Sequence, residues 1–214
     1  RNKENIVKKI FNKNILVIGG AGTIGSNYIK QILQFKPKNL TVVDINENGL
    51  TELTRDLRSS NLLDYDPEYI TYPVNLLSET FEKIFKLKKW QVVANFSAHK
   101  HVRSEKDVIS VEALIKNNVF GAIKLLSLCE SKPPNFFFSV STDKAANPVN
   151  IMGASKSLME KLIISKKNLF RVSTARFANV AFSNGSLLDG FVYRLEKKQP
   201  LSCPSDIKRF FVTP

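Results

Sequence analysis

Two stretches of this sequence bring together residue types that can do chemistry. The first, Ile15-Leu-Val-Ile-Gly19-Gly-Ala-Gly22-Thr23-Ile24-Gly25, is an apolar run entering a turn whose glycines fall at intervals of three. Glycine suits such a turn because the backbone takes unusual φ/ψ there, because a Cβ would block an approaching pyrophosphate, and because the following helix must lie close to the strand. The helix start at Thr23 and Ile24 offers unpaired N–H groups to an anion. Asp44 stands 19 residues after Gly25, at the end of the next apolar run. A carboxylate there accepts bonds from the two adenosine ribose hydroxyls and repels a 2′-phosphate, which favours NAD over NADP. A structural turn and a helix-capping aspartate are the alternatives; strand, glycines, helix and acid together favour dinucleotide binding. The second stretch runs from Phe136 to Lys156 and sets Thr142, Asp143 and Lys144 at the end of a strongly apolar strand, with Met152 and Lys156 on the helix after it. Ligands of open parallel sheets sit beyond the carboxyl ends of strands, so this cluster is a candidate site, with a solvated Asp-Lys pair as the alternative.

The elements that must position these groups follow from periodicity. Short apolar runs predict strands at Ile15 to Ile18, Leu40 to Asp44, Tyr69 to Tyr72, Val92 to Asn95, Phe136 to Val140 and Arg171 to Ala175. Helical patterns alternate with them at Ile24 to Phe35, Gly49 to Arg58, Ser78 to Phe85, Ile109 to Cys129 and Ile151 to Lys166. This is the βαβ alternation of an α/β, doubly wound parallel sheet. The period weakens after Ala178, which predicts a dinucleotide-binding domain over 1–178 and the start of a second, unfinished lobe over 179–214. The Phe136 to Phe138 cluster and Phe210-Phe211 read as core packing.

Composition narrows the class. The 214 residues are 43% hydrophobic and 24% charged with nine Gly and nine Pro, which excludes collagenous, disordered and disulfide-scaffold chains. Cys129 and Cys203 are the only cysteines and neither has a second ligand at metal spacing, so no metal site is expected and a reducing, cytoplasmic setting is the simplest reading. No apolar run reaches membrane-spanning length, and the N-terminal segment has no signal-peptide core. Both ends read as cut. A net charge of +13 makes nucleic acid, a membrane surface or an anionic small ligand the first suspects. No recognised nucleic-acid module is present. Pairs such as Lys8-Lys9, Lys86 to Lys89 and Lys166-Lys167 read as solvated helix faces, and part of the excess is expected to serve pyrophosphates.

The glycine spacing points toward the short-chain dehydrogenase/reductase superfamily, and further segments sharpen the match. Ser97-Ala98-His99-Lys100-His101-Val102, Asn118-Val-Phe-Gly121, Ser141-Thr-Asp-Lys-Ala-Ala-Asn-Pro148, Ser155-Lys156 and Arg176-Phe-Ala-Asn179-Val180 follow in order. With Gly19 to Gly25 they resemble the extended short-chain dehydrogenases that act as nucleotide-sugar 4,6-dehydratases, particularly the UDP-N-acetylglucosamine enzymes of polysaccharide and capsule biosynthesis. The resemblance implies a hydro-lyase with tightly bound, recycled NAD: hydride leaves sugar carbon 4, water is eliminated across carbons 5 and 6, and the hydride returns to carbon 6. It implies that Lys144 takes the carbon 5 proton, that Asp143 protonates the departing hydroxyl, and that Thr142 bonds the carbon 4 hydroxyl. Such a lysine must be neutral to act. Lys156 is implied to hold the nicotinamide ribose.

The same resemblance implies cofactor contacts at Asn75, Ser97, Ala98, Lys100 and Asn118, and substrate contacts at Lys100, His101, Asn179 and Ser186. For Lys100 and His101 a surface lysine and a structural histidine are the alternatives; for Asn118 it is a helix kink. Met152 departs from the superfamily's Tyr-x-x-x-Lys pattern. A thioether cannot accept a proton, and the residue resembles one subgroup of the dehydratases. A nucleotide-sugar 4-epimerase and a non-catalytic NAD-binding regulator are the competing functions; the first normally needs the missing tyrosine, and the second has no use for Thr142, Asp143, Lys144 and Lys156 together. Homo-oligomers built on the helices at Ile109 to Cys129 and Ile151 to Lys166 are expected by analogy with the superfamily.

Overall fold

The computed structural model describes residues 3–100, 105–203, 208 and 210–213. Six strands form one parallel sheet: β1 (Asn14–Ile18), β2 (Asn39–Asp44), β3 (Glu68–Pro73), β4 (Val92–Asn95), β5 (Phe136–Thr142) and β6 (Arg171–Phe177). Their spatial order is β3-β2-β1-β4-β5-β6. The chain therefore builds outward from β1 in one direction, returns, and builds outward from β4 in the other. The reversal falls between β1 and β4, where Ile15 pairs with Val92 and Ile18 with Asn95, and such a switch point opens a crevice at the carboxyl ends of the strands.

Helices cover both faces. On one lie α2 (Thr23–Leu33) and α3 (Glu47–Ser59); on the other lie α4 (Glu79–Leu87), α6 (Gly121–Ser131) and α7 (Ile151–Ser165). Two cores result, because successive strand residues point to opposite faces. Ile15, Val17, Leu40 and Val42 pack under α2 and α3 with Ile29, Leu33, Leu53 and Leu57. Leu16, Ile18, Val43 and Val93 pack under the other layer with Phe81, Phe85, Leu125, Met159 and Ile163. Phe137 joins the second core and is buried, while Phe136 and Phe138 pack half-buried against the first.

Several local features differ from the periodicity reading. An additional helix, α1 (Lys3–Ile10), precedes β1 and buries Ile10. The single helix expected from Ile109 to Cys129 is α5 (Val108–Ile115), one π turn over Lys116–Phe120, then α6. The π turn carries the Gly121 N–H onto the Lys116 carbonyl; such bulges recur at functional sites. Beyond β6 the chain forms α8 (Leu187–Glu196) and a short parallel ladder of β7 (Asn179–Val180) with β8 (Phe211–Val212). Phe210 and Phe211, expected in the core, are exposed at 84% and 39%, because among the described residues no layer packs over this two-residue ladder. Among the described residues, no helix is long and apolar enough to cross a membrane, and no three His, Cys, Asp or Glu side chains come together as metal ligands.

Candidate functional site at the carboxyl edge of the sheet

The glycine turn does three separate jobs. Gly19 sits at φ +74°, and a Cβ there would lie 2.4 Å from the Ser97 nitrogen, so the turn and the exit of β4 can approach only through glycine. Gly25 holds α2 against the turn, since its Cβ would lie 2.4 Å from the Gly19 carbonyl oxygen. Gly20, which the spacing rule passed over, is closed by packing: its Cβ would lie 2.3 Å from Val42 Cγ1. Gly22 is different. Its Cβ would meet only the Gly19 oxygen, at 3.7 Å, so the described residues leave that space open.

Helix α2 also differs in its capping from five other helices. The first turns of α3, α4, α5, α7 and α8 are closed by side chains of Asn46, Ser78, Asp107, Asn150 and Ser186. Gly22 caps α2 without any side-chain bond, which leaves first-turn N–H groups at Thr23 and Ile24 for an anion. Asp44 closes β2 beside them, accepting from the Ala21 N–H at 2.9 Å through one oxygen and from the Asn46 N–H at 3.0 Å through the other. Asn75 stands on the same rim, its side chain accepting from the Leu77 N–H at 2.8 Å. An open glycine, uncapped donors and a carboxylate at one rim fit a dinucleotide's pyrophosphate and adenosine ribose.

Across the switch point, the segment leaving β4 is held from below. Asn95 Oδ1 accepts from the Ser97 N–H and hydroxyl, which leads the chain into Ala98. Asn118, in the π turn and 3% exposed, accepts from the His99 N–H at 2.9 Å and donates to the His99 carbonyl at 3.0 Å and the Ser155 hydroxyl at 3.1 Å. The Asn118 side chain is thus committed inside the protein, tying the β4 exit to α7. Lys100 reaches the far side: its Nζ donates to the Asn184 carbonyl at 2.7 Å, while the Asn184 N–H donates to Thr23 Oγ1 at 3.0 Å. One turn of chain after β7 therefore bridges the two residues expected at the cofactor. Burial pushes the Lys100 ammonium below the usual lysine range, against the opposing pull of Asp189. His101 lies outside the described residues.

At the end of β5 the three residues of the apolar-to-polar junction are in contact. Thr142 Oγ1 donates to Asp143 Oδ1 at 2.9 Å, the Lys144 N–H to the same oxygen at 2.9 Å, and Lys144 Nζ lies 3.1 Å from it. Partial burial pushes the Asp143 carboxyl up, but the bonds from Thr142 and Lys144 and the lysine charge outweigh it and hold the group below the usual carboxylate range. The next helix is seated on this junction, since a Cβ on Gly153 would lie 2.6 Å from the Lys144 carbonyl oxygen. Met152 and Lys156 are buried on α7, 3% and 4% exposed. Lys156 Nζ contacts Met159 Sδ at 3.4 Å. Burial pushes its ammonium down to about 8, with Glu160 pulling the other way.

Two acids escaped the sequence reading. Glu160 accepts Arg176 Nε at 3.0 Å and Nη2 at 2.7 Å, and that guanidinium holds its carboxyl below the usual range. Its position one turn after Lys156 is a signal the sequence contained. Glu105 accepts the Met152 N–H at 2.7 Å from 47 residues away, a contact no local spacing announces. The substrate residues are less closely gathered: Asn179 Nδ2 donates to the Phe210 carbonyl at 3.1 Å, and the Ser186 hydroxyl caps α8.

A family model described as polysaccharide biosynthesis protein matches residues 15–213. MJ1061 of Methanocaldococcus jannaschii, named as an uncharacterized membrane protein, is 36% identical over 94% of this chain and 59% of its own length. A UDP-N-acetylglucosamine 4,6-dehydratase (inverting) of Campylobacter jejuni is 29% identical over 84% of this chain and 52% of its own. The X-ray structure of Pen from Bacillus thuringiensis superposes with a TM-score of 0.83 at 25% identity, covering 95% of this chain and 62% of that one. The chain spans between half and two thirds of the length of each of these proteins. By its sequence over almost its full length, and with a fold that agrees, the chain belongs to the polysaccharide biosynthesis protein family.

Proposed function

We propose that the protein is an NAD-dependent nucleotide-sugar 4,6-dehydratase acting on a UDP-N-acetylhexosamine such as UDP-N-acetylglucosamine, for polysaccharide synthesis. The observation that carries this reading is the contact chain at the end of β5, with Thr142 and Lys144 both on Asp143 Oδ1, at 2.9 and 3.1 Å. Family membership and the similarity to the Campylobacter dehydratase support it. Gly22, Thr23 and Ile24 would hold the dinucleotide's pyrophosphate, Asp44 its adenosine ribose, and Lys156 its nicotinamide ribose. Bound there, the dinucleotide supplies a hydride acceptor that gives the same hydride back.

Met152 marks the subgroup without the usual tyrosine, so the proton of the sugar 4-hydroxyl needs another acceptor. The Thr142–Asp143 bond provides one: Thr142 Oγ1 takes that proton while passing its own to the Asp143 carboxylate. Asp143, now protonated, is the acid that the departing 6-hydroxyl requires, and the two leave as water. Lys144, the ammonium partner of Asp143 at rest, must first give its extra proton to solvent; the free amine then removes the carbon 5 proton and returns it to carbon 5 when carbon 6 is reduced. Asp143 ends as a carboxylate and Lys144 as an amine, so the cycle closes with one water lost. The low-lying Asp143 carboxyl supports the carboxylate as its resting state.

Incubation with UDP-N-acetylglucosamine and NAD is expected to give a product lighter by one water. An isobaric product would make the protein an epimerase, and no reaction a regulator. The division into a dinucleotide domain over 1–178 and the start of a sugar lobe over 179–214, with Lys100, Asn179 and Ser186 toward the sugar nucleotide, belongs to the same proposal, as does a cytoplasmic location. So does self-association: Val108, Ile109, Phe120 and Leu158 leave exposed apolar surface on α5, the π turn and α7, and sedimentation velocity is expected to show an oligomer.

A further inference from the structure

Because every strand of the main sheet is parallel, the sheet has two chemically different edges. The site occupies the carboxyl edge. The amino edge is built from the turns that end each helix and begin the next strand, and these turns are basic almost throughout. Lys13 precedes β1 and Lys36 and Lys38 precede β2; the three are laced together, the Asn12 N–H donating to the Lys36 carbonyl at 3.1 Å and the Lys38 N–H to the Lys13 carbonyl at 3.0 Å. Before β4 come Lys86 and Lys89, the Lys89 carbonyl accepting from Asn14 Nδ2 at 3.1 Å. Lys132, before β5, reaches back to the Lys86 carbonyl at 3.2 Å. Lys167 precedes β6 and Arg171 opens it. Arg171 and, from α1, Lys9 both lie over the Phe136 ring, at 5.6 and 4.9 Å, so α1 belongs to the same end of the molecule.

Acids do not balance this edge. Glu68, Glu82 and Glu130 are already paired with Lys88, Lys86 and Lys166. The only acids within these turns are Asp64 and Asp66, before the outer strand β3. Among the cations stand large apolar side chains in water: Phe11, Leu87 and Leu169, exposed at 55%, 64% and 57%. Much of the positive excess therefore gathers at the opposite end of the sheet, away from the site.

We propose that the amino edge is a membrane-docking face that rests on a bilayer containing anionic phospholipid and leaves the site facing solution. Lysines on long stems, spread over an end and interspersed with single apolar side chains, match a headgroup layer: ammonium groups meet phosphates while Phe11, Leu87 and Leu169 enter the acyl boundary. Nucleic acid is the poorer fit. Arg58 and Arg171 are the only arginines at these turns, against many lysines, so the forked donors that grip phosphates and base edges are few. Leu87 and Leu169 offer nothing for a base to stack on.

Sedimentation with vesicles tests this. The 214-residue chain is expected to pellet with phosphatidylcholine vesicles containing phosphatidylglycerol, to stay in solution with phosphatidylcholine alone, and to be released by high salt. Reversing Lys36→Glu, Lys38→Glu, Lys89→Glu and Lys167→Glu together is expected to weaken partitioning about a hundredfold or more, since each lysine near an anionic surface contributes separately. A control with equal net charge, Lys106→Glu, Lys116→Glu, Lys197→Glu and Lys198→Glu, is expected to keep most of the binding. Equal loss in both variants, no pelleting with the anionic vesicles, or tighter binding to duplex DNA than to them would overturn the proposal. Hydrogen exchange on the unmutated chain gives a check that needs no variant: anionic vesicles are expected to protect residues 8–13, 86–91 and 166–171, and protection confined to the carboxyl edge would overturn it as well.

Discussion

The two edges of the parallel sheet spend their lysines in opposite ways. At the carboxyl edge, Lys100, Lys144 and Lys156 each have a partner inside the protein: a carbonyl, a carboxylate and a thioether. Lys156 is nearly sealed from water. At the amino edge, Lys36, Lys38, Lys89 and Lys167 stand exposed on short turns. A buried lysine costs stability and is kept where its charge acts at one point; an exposed one costs little and acts through the summed field. The difference teaches that a net charge is not a property of a site. The same +13 yields a few placed cations at one end and a diffuse field at the other.

The sharpest way to break this comparison is at β5. Asp143→Asn or Lys144→Ala is expected to lower dehydration about a thousandfold by removing a positioned acid or base, with vesicle binding unchanged. Thr142→Val, which removes the proton relay but keeps the shape, is expected to cost about a hundredfold. Its loss is the specific mark of the relay, because a threonine that merely touched the sugar would be read in KM more than in kcat. The amino-edge reversal is expected to give the mirror result, with vesicle binding lost and turnover in solution retained.

Lys156 sharpens the comparison through pH. Its ammonium sits at about 8 in the folded chain against 10.5 for an ordinary lysine. Below pH 8 both states carry the proton, and the folded state bears the full cost of burying the charge. Between those values the folded chain releases a proton that the unfolded chain keeps, so stability rises with pH across that window. The rise is on the order of 3 kcal/mol. Lys156→Met is expected to flatten it and to be the more stable protein at neutral pH, measured by denaturant unfolding without added dinucleotide. Lys89→Met, in an exposed turn, is expected to change stability by no more than about 0.5 kcal/mol.

Much of the carboxyl edge was legible in the sequence because its signals are local. The six strands, Gly19 and Gly25 and the junction at Thr142 to Lys144 each sit within a few residues of the periodicity that announces them. Asn118 was found as a candidate from its motif, but the tie its side chain makes between His99 and Ser155 exists only once π turn, β4 exit and α7 meet. Glu105 and Arg176 depend on contacts 47 and 16 residues apart. The amino edge was illegible for the same reason on a larger scale. Lys13, Lys38, Lys89, Lys132 and Arg171 are far apart in sequence, and only a parallel sheet, which sends every strand's start to one end, turns scattered lysines into a face.

The smallest expected effect separates two neighbouring glycines of one turn. Both lie within the fingerprint, yet Gly20 is closed by Val42 and Ile29 while Gly22 opens on free space. Gly20→Ala must push a buried valine aside, and overpacking of this kind costs about 1 to 3 kcal/mol, so a lower melting temperature is expected. Gly22→Ala meets only the Gly19 oxygen, at an ordinary contact distance, among the described residues and should leave the melting temperature where it is. If its emptiness is reserved for a pyrophosphate, the added methyl will weaken NAD binding about tenfold, read by calorimetric titration, by crowding the uncapped N–H groups of α2. A Gly22→Ala protein that bound NAD unchanged would make the opening an ordinary surface turn and leave Asp44 alone to argue for the dinucleotide. A Gly20→Ala protein as stable as the parent would show that the α2 layer slides over β2 more freely than its close contacts imply.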